Sequence, residues 1–174
     1  MDKNTPLYTG VLENSPIGDL LVARTEYGLA AIEWVNNQAE FEAYLSKHFK
    51  QPPRSDPKRL APALQQLDEY LRGERKAFHL PIDWSHLRPF QIQVLQIVYA
   101  IPYGQTRSYG EIAFEIGKPR AARAVGRANA TNPMPIVIPC HRVIGSDGKL
   151  QGYGGGEGLP TKKWLLKLEG AVLA

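Results

Sequence analysis

Apolar positions along this chain keep two different rhythms. The first half opens with short apolar runs between turns: Leu7 to Leu12, a Ser15-Pro16-Ile17-Gly18 turn, Leu20 to Ala23, a turn at Tyr27-Gly28, and Leu29 to Val35. Closely spaced strands with Gly/Pro punctuation predict an antiparallel meander. Asn37 with Glu40 three residues on fits a capping box, and Phe41, Leu45 and Phe49 follow at helical spacing until Gln51-Pro52-Pro53 stops them. A second helix is predicted from about Pro57 to Arg72, with Leu60, Ala63, Leu64, Leu67 and Leu71 on one face and Gly73 as its stop. Leu80 to Pro89, with Pro81 and Trp84, reads as a connecting segment. Residues 1–85 are thus expected to form a small α/β domain with a structural role, and residues 86–174 a second domain.

The second half is paced by helices. Phe90, Val94, Ile97 and Val98 mark one from about Pro89 to Ala100, and Ile101-Pro102-Tyr103-Gly104 ends it. Ser108-Tyr109-Gly110-Glu111 is a capping box before a short helix with Ile112, Ala113 and Ile116. Pro119 is expected to start a third helix running to Ala130. Two short helices joined through a Gly-containing turn predict a helix-turn-helix. Alanine and glycine dominate its second helix, with no row of Asn, Gln or Arg suited to base edges. Such a helix approaches a nucleic-acid backbone closely with little sequence preference, or else packs on another helix.

Asn132 to Val143 is an apolar run stiffened by Pro133, Pro135 and Pro139. Proline fixes φ and favours extended backbone before it, so a short buried strand is expected there. It delivers Cys140, the only cysteine, beside His141 and Arg142. Gly145-Ser146-Asp147-Gly148 reads as a hairpin turn, and Gly152 to Gly158 as a loop lacking the Lys-Ser/Thr ending of a P-loop. Pro160 opens a last helix, with Trp164, Leu165 and Leu168 facing inward and Glu169-Gly170 closing it.

Composition narrows the class. No apolar run is long enough to span a bilayer, and Met1-Asp2-Lys3-Asn4 opens no signal peptide. One cysteine permits no internal disulfide and no thiolate zinc site, which points to a reducing cytoplasm. His48, His79 and His86 lack the spacing of a metal site, so no metal is expected. Residues 1–86 carry 10 Lys/Arg and 12 Asp/Glu, a net of −2, whereas residues 87–174 carry 11 and 5, a net of +6. The half holding Cys140 is the basic one, as a phosphate-binding surface requires.

A thiol on a stiff support beside cationic groups is a nucleophile, or else a small buried hydrophobe. On an extended segment, adjacent side chains point to opposite faces, so His141 would act on the sulfur through a water. Glu169 is a better candidate than Glu111 to orient that ring, because the capping box occupies Glu111. Such an arrangement serves a cysteine hydrolase or an alkyl acceptor, and local chemistry leaves both open.

Pro139-Cys140-His141-Arg142-Val143 resembles the active-site signature of the O6-alkylguanine-DNA alkyltransferases. Ile101-Pro102-Tyr103-Gly104 to Ser108-Tyr109, Arg123-Ala124-Val125-Gly126, Asn132-Pro133, Gly152-Tyr153-Gly154-Gly155-Gly156 and Trp164-Leu165-Leu166 to Glu169-Gly170 follow in that family's order. The likeness spans residues 90–170; the first half fits only in general layout. It implies a ribonuclease-H-like α/β domain with a small antiparallel sheet, then a mainly α, winged-helix-like domain with a helix-turn-helix.

It further implies single-turnover repair of O6-alkylguanine in double-stranded DNA by a monomer, without cofactor. Cys140 resembles the alkyl acceptor, with His141 and Glu169 as its relay and Asn132 as a brace. Tyr109 matches the residue that turns out the nucleotide and donates to its N3. Arg123 matches a finger entering from the minor groove, with Ala124, Gly126 and Arg127 on the DNA-facing helix. Pro135, Val143, Tyr153, Gly154 and Lys162 match residues of the base pocket, where the carbonyls of Cys140 and Val143 accept from the exocyclic amine. Glycine stands at 154 where the family often has serine, which keeps the backbone N–H to O6. The rival expectation is a non-catalytic lesion binder, whose relatives typically carry tryptophan at the position of Cys140.

Overall fold

The computed structural model describes residues 5–171, so the Met1-Asp2-Lys3-Asn4 start lies outside the described residues. Two compact units divide the chain, one ending at His86 and the other beginning at Leu87.

In the first unit, strands β1 (Leu7–Leu12), β2 (Leu20–Thr25) and β3 (Leu29–Trp34) pair antiparallel, as the turn spacing predicts. The sheet is mixed rather than purely antiparallel. A two-residue strand, β4 (Arg54–Ser55), joins β1 in parallel, giving the order β3-β2-β1-β4. Both β4 residues are exposed, so no apolar alternation marked them in the sequence. Helix α1 (Gln38–His48) packs Phe41 and Leu45, with Phe49 beyond its end, against Leu7, Ala23 and Ala31. Gly10, of opposite parity in β1, faces Leu60 of α2 (Pro57–Leu71), so the two helices cover opposite faces of the sheet.

Two expectations fail locally. Asn37 does not cap α1: a 3-10 turn over Val35–Asn37 runs straight into the helix, and the Asn37 amide instead donates to Glu33 Oε1 at 3.2 Å. Residues 81–83 are more than a connection. Leu29 N donates to Pro81 O and Asp83 N to Leu29 O, each at 2.8 Å, docking the segment beside β3. Gly28 permits this approach, since a Cβ there would lie 2.4 Å from Pro81 O.

The second unit holds α3 (Pro89–Tyr99), α4 (Tyr109–Glu115), α5 (Ala122–Ala130) and α6 (Leu159–Leu168). Helix α5 starts at Ala122 rather than Pro119; Lys118 N bonds Ala113 O and Ala121 N bonds Lys118 O, which closes the turn after α4 before α5 begins. Strands β5 (Arg107–Ser108) and β6 (Val143–Ile144) pair in parallel, so the Gly145-to-Gly148 turn belongs to no hairpin. In α6, Leu165 and Leu166 are fully buried, whereas Trp164 and Leu168 are only half-buried.

The run before Cys140 is not a strand. Met134 to Ile138 form a fully buried turn, with Ile136 at φ +74°, which leads into a 3-10 turn over Cys140–Arg142. Three prolines take donors away from any ladder, and the backbone satisfies itself through Ile138 N to Met134 O (2.9 Å) and Cys140 N to Ile138 O (2.7 Å). Among the described residues no helix is long and apolar enough to cross a membrane.

Candidate active site

The site gathers on that 3-10 turn. Asn132 spans the turn that precedes it: its Nδ2 donates to Ile138 O at 2.9 Å, and its Oδ1 accepts from Met134 N at 3.0 Å. One side chain thus pins both ends of a segment whose Ile136 sits in a backbone region costly for a β-branched residue.

Cys140 ends the segment with its side chain buried, 5% exposed. Burial pushes its thiol above the ordinary range, and the Asn132 hydrogen bond and the Lys162 charge pull it back only in part. Burial therefore outweighs the cationic neighbours and favours the protonated thiol. Arg142, the adjacent cation, turns away to Glu169 and to the carbonyl of Ile101. Lys162, on α6, is the cation whose charge acts on the sulfur.

Behind the cysteine lies a buried polar triad. His141 Nε2 is 2.7 Å from Glu169 Oε1, and both side chains are fully buried. Arg142 grips the same carboxylate with Nε at 2.9 Å from Oε2 and Nη2 at 2.9 Å from Oε1. Gly104 N adds a bond to Oε2 at 3.0 Å; the glycine has φ +75°, and a Cβ there would fall 2.9 Å from Glu169 O. Burial alone would raise the Glu169 pKa, but His141 and Arg142 outweigh it and bring the carboxyl down to about 2. Burial lowers the His141 pKa, and Glu169 opposes that. A neutral ring giving its Nε2–H to the carboxylate keeps a basic lone pair on Nδ1.

Tyr109 is set by its helix. Ser108 Oγ accepts from Glu111 N at 3.2 Å and Glu111 Oε2 from Ser108 N at 2.6 Å, the expected capping box, which fixes Tyr109 as the first residue of α4. Pairing of Ser108 with Ile144 holds that start beside the cysteine segment. The phenol O–H points to Gln151 O at 3.4 Å, and burial, followed by the nearby Cys140 sulfur, raises its pKa.

Lys162, with 0% exposure, donates to Val143 O at 2.6 Å and to Gln151 O at 2.8 Å. Burial drags it down to about 8, with Cys140 pulling the other way. Val143 and Pro135 are buried and Tyr153 half-buried, while Gly154 is exposed on a loop resting against α5, where its Cβ would be 3.6 Å from Ala130 O. On α5, Arg123 and Arg127 are exposed one turn apart, with Ala124 and Gly126 half-buried between them.

Sequence reasoning missed two participants. Arg142 proved to be Glu169's partner rather than the thiol's. Asn129, 4% exposed, donates through Nδ2 to Cys140 O at 3.2 Å. A polar residue in register with Val125 and Ala128 on the buried face of α5 was the available signal. Among the described residues no group of three or more His, Cys, Asp or Glu is placed to hold a metal ion.

A two-unit fold carrying a buried cysteine beside a His141–Glu169 pair suits a cysteine nucleophile, and comparison with known proteins identifies the family. Residues 89–171 match the 6-O-methylguanine DNA methyltransferase DNA-binding domain, and residues 7–84 match its ribonuclease-like domain. The chain belongs to the O6-methylguanine DNA methyltransferase family. It is 44% identical over 168 residues to the methylated-DNA–protein-cysteine methyltransferase of Methanosarcina barkeri, covering 94% of this chain and 97% of that one. The constitutive enzyme of that name from Bacillus subtilis is 41% identical over 160 residues, covering 89% and 91%. The O6-methylguanine methyltransferase structure from Mycobacterium tuberculosis superposes with a TM-score of 0.79 at 41% identity, covering 94% and 93%. The Mycobacterium tuberculosis OGT solved in complex with DNA gives 0.78 at 41%, covering 94% and 92%.

Proposed function

We propose that this protein repairs O6-alkylguanine in DNA by moving the alkyl group irreversibly onto Cys140. The observation that carries the reading is a lone cysteine backed by the buried His141–Glu169 pair. The lesion's alkyl carbon is hidden inside a duplex, so the nucleotide must be rotated out, at a cost of roughly a few kcal/mol that a poorly paired base lowers. Helices α4 and α5 serve as a helix-turn-helix on the minor-groove side, with Arg127 on phosphate and Arg123 in the space the base vacates. Ala124 and Gly126 keep the approach close. One copy of the chain suffices. A single cysteine suits the reducing cytoplasm.

Because Cys140 is 5% exposed, the residues packed around it must give way for a purine to reach the sulfur. The base then lies against Pro135, Val143, Tyr153 and Lys162, its amine donating to the Cys140 and Val143 carbonyls. The Cys140 carbonyl already accepts from Asn129 Nδ2 and from Val143 N, and the Val143 carbonyl from Lys162 Nζ, so the amine shares each oxygen with donors of the protein.

The thiol gives its proton through a water to His141 Nδ1, and Glu169 stabilises the imidazolium. The sulfur attacks the alkyl carbon in line: the S–C bond forms as the C–O6 bond breaks, and the electron pair stays on the purine. Tyr109 supplies a proton at N3 and the Gly154 N–H steadies O6, so guanine leaves neutral. The product is a thioether, which has no carbonyl for water to attack, so each molecule reacts once.

The test is the mass of the protein after incubation with an O6-methylguanine duplex. One added methyl group on the Cys140 peptide, with a progress curve stopping at one equivalent, is expected. Unchanged mass despite tight lesion binding would point to a non-catalytic binder, and multiple turnovers to a hydrolase.

A further inference from the structure

Ile101-Pro102-Tyr103-Gly104 reads in the sequence as no more than the end of α3, yet the folded turn grips the buried triad. Gln105 N bonds Pro102 O at 3.1 Å, and the turn this closes holds Gly104 at φ +75°. Ile101 O accepts from Arg142 Nη1, and Gly104 N donates to Glu169 Oε2 at 3.0 Å. Between these two contacts stands Tyr103. Its half-buried ring faces the Arg142 guanidinium, with Cζ 5.9 Å from the ring centroid, within cation–π range. Its O–H donates to Leu168 O at 3.0 Å.

Leu168 is the last residue of α6, and the carbonyls of a final turn outrun the helix's own donors. Leu165 O is met by Glu169 N at 3.1 Å, and Leu166 O and Lys167 O by Ala171 N and Gly170 N, both at 3.0 Å. The donor for Leu168 O comes instead from Tyr103, 65 residues away in the chain. Because a peptide group is planar, holding that oxygen sets the plane carrying Glu169 N and Cα. From that Cα leaves the carboxylate that faces His141 Nε2 at 2.7 Å.

We propose that Tyr103 is a positioning residue for alkyl transfer: its hydroxyl anchors the Leu168–Glu169 peptide and its ring backs Arg142, which together keep the Glu169 carboxylate on His141. This rests on the reading of His141 and Glu169 as the relay that takes the Cys140 proton. Tyr103 exchanges no proton with the thiol and acts only through Glu169. Once His141 accepts that proton, a carboxylate held at hydrogen-bond distance stabilises the imidazolium, and one free to drift does so less. Burial, Arg142 and Lys162 lower the His141 pKa, whereas Glu169 raises it. Losing the anchor therefore leaves a weaker base. The plateau rate falls, and the low-pH limb, where His141 is already protonated, moves to lower pH.

Single-turnover transfer from a saturating O6-methylguanine duplex to the full chain, followed across pH, tests the assignment. Tyr103→Phe keeps the ring beside Arg142 and removes only the hydroxyl. It is expected to lower the plateau rate about fivefold, as loss of one hydrogen bond would, and to shift the low-pH midpoint downward. The proton resonance of His141 Nε2–H should move upfield as its bond to Glu169 lengthens. Tyr103→Phe added to Glu169→Gln should cost less than about twofold more, since both act through one carboxylate. Gly104→Ala, whose Cβ would meet Glu169 O at 2.9 Å and push the same turn away, should repeat the midpoint shift if Tyr103→Phe folds poorly. An unchanged midpoint and resonance, or a loss that adds in full to that of Glu169→Gln, would reduce Tyr103 to a packing residue and overturn the proposal. A wild-type profile for Glu169→Gln would instead remove the relay reading, and this one with it, while leaving Cys140 as the acceptor.

Discussion

Glu169 holds the most consequential side chain of the second unit, because four donor contacts converge on one buried carboxylate: His141 Nε2, the Arg142 Nε and Nη2, and Gly104 N. Removing one member of a buried charged group leaves the others uncompensated, at about 3–5 kcal/mol. Glu169→Ala is therefore expected to lower the urea midpoint sharply as well as to slow alkyl transfer. Asn132→Ala should cost about 1–3 kcal/mol in the same titration, since two backbone groups of a buried turn lose their partner. Ile136 poses a contest of magnitudes. Glycine there would relieve a left-handed backbone worth roughly 1–2 kcal/mol, but deleting a side chain with 0% exposure costs about 2–5 kcal/mol. Packing wins, so Ile136→Gly should destabilise.

Helix α5 divides its work between faces: Val125, Ala128 and Asn129 point inward, while Arg123 and Arg127 are exposed. An exposed arginine contributes little to folding, so Arg123→Ala should leave the melting temperature nearly unchanged, within about 0.5 kcal/mol. It should weaken reaction with lesion duplex by tenfold or more, yet spare reaction with free O6-benzylguanine, as paired rate measurements would show. Equal losses on both substrates would rule out the finger role. The capping box at Ser108 was legible in the sequence because its partners are three residues apart. The Asn37–Glu40 box had the same spacing and failed, because a preceding 3-10 turn took the backbone position it needed. The apolar run at 134–138 also misled. Local composition showed that it is buried, but three prolines and a left-handed Ile136 made it a turn instead of a strand.

Across the whole molecule, two electrostatic consequences follow. Glu169 has a folded pKa of about 2 against an ordinary 4.5, so folding favours its ionised form. That stability, on the order of 3 kcal/mol, is fully present above pH 4.5 and is lost as pH falls towards 2. Thermal melts of the wild type should therefore drop more steeply through this window than those of Glu169→Gln. Second, residues 87–174 carry a net charge of +6 against −2 for residues 1–86. Binding to duplex through the second unit should weaken steeply as salt rises from about 50 to 200 mM, with reaction on the free base nearly unaffected.

Short-range information in the chain determined the strands β1 to β3, the helices, the capping of α4, and the Pro-Cys-His-Arg-Val stretch that marks the family, because each depends on neighbours within a few residues. It also determined that Cys140 is the only thiol available. Tertiary structure alone decided the direction in which that thiol's pKa moves, since desolvation depends on what is packed around it and not on the Arg142 next in line. The meeting of His141 with Glu169, 28 residues apart, of Arg142 with the Ile101 carbonyl, 41 apart, and of Asn129 with Cys140 likewise arises only once α5, α6 and the 3-10 turn are packed together.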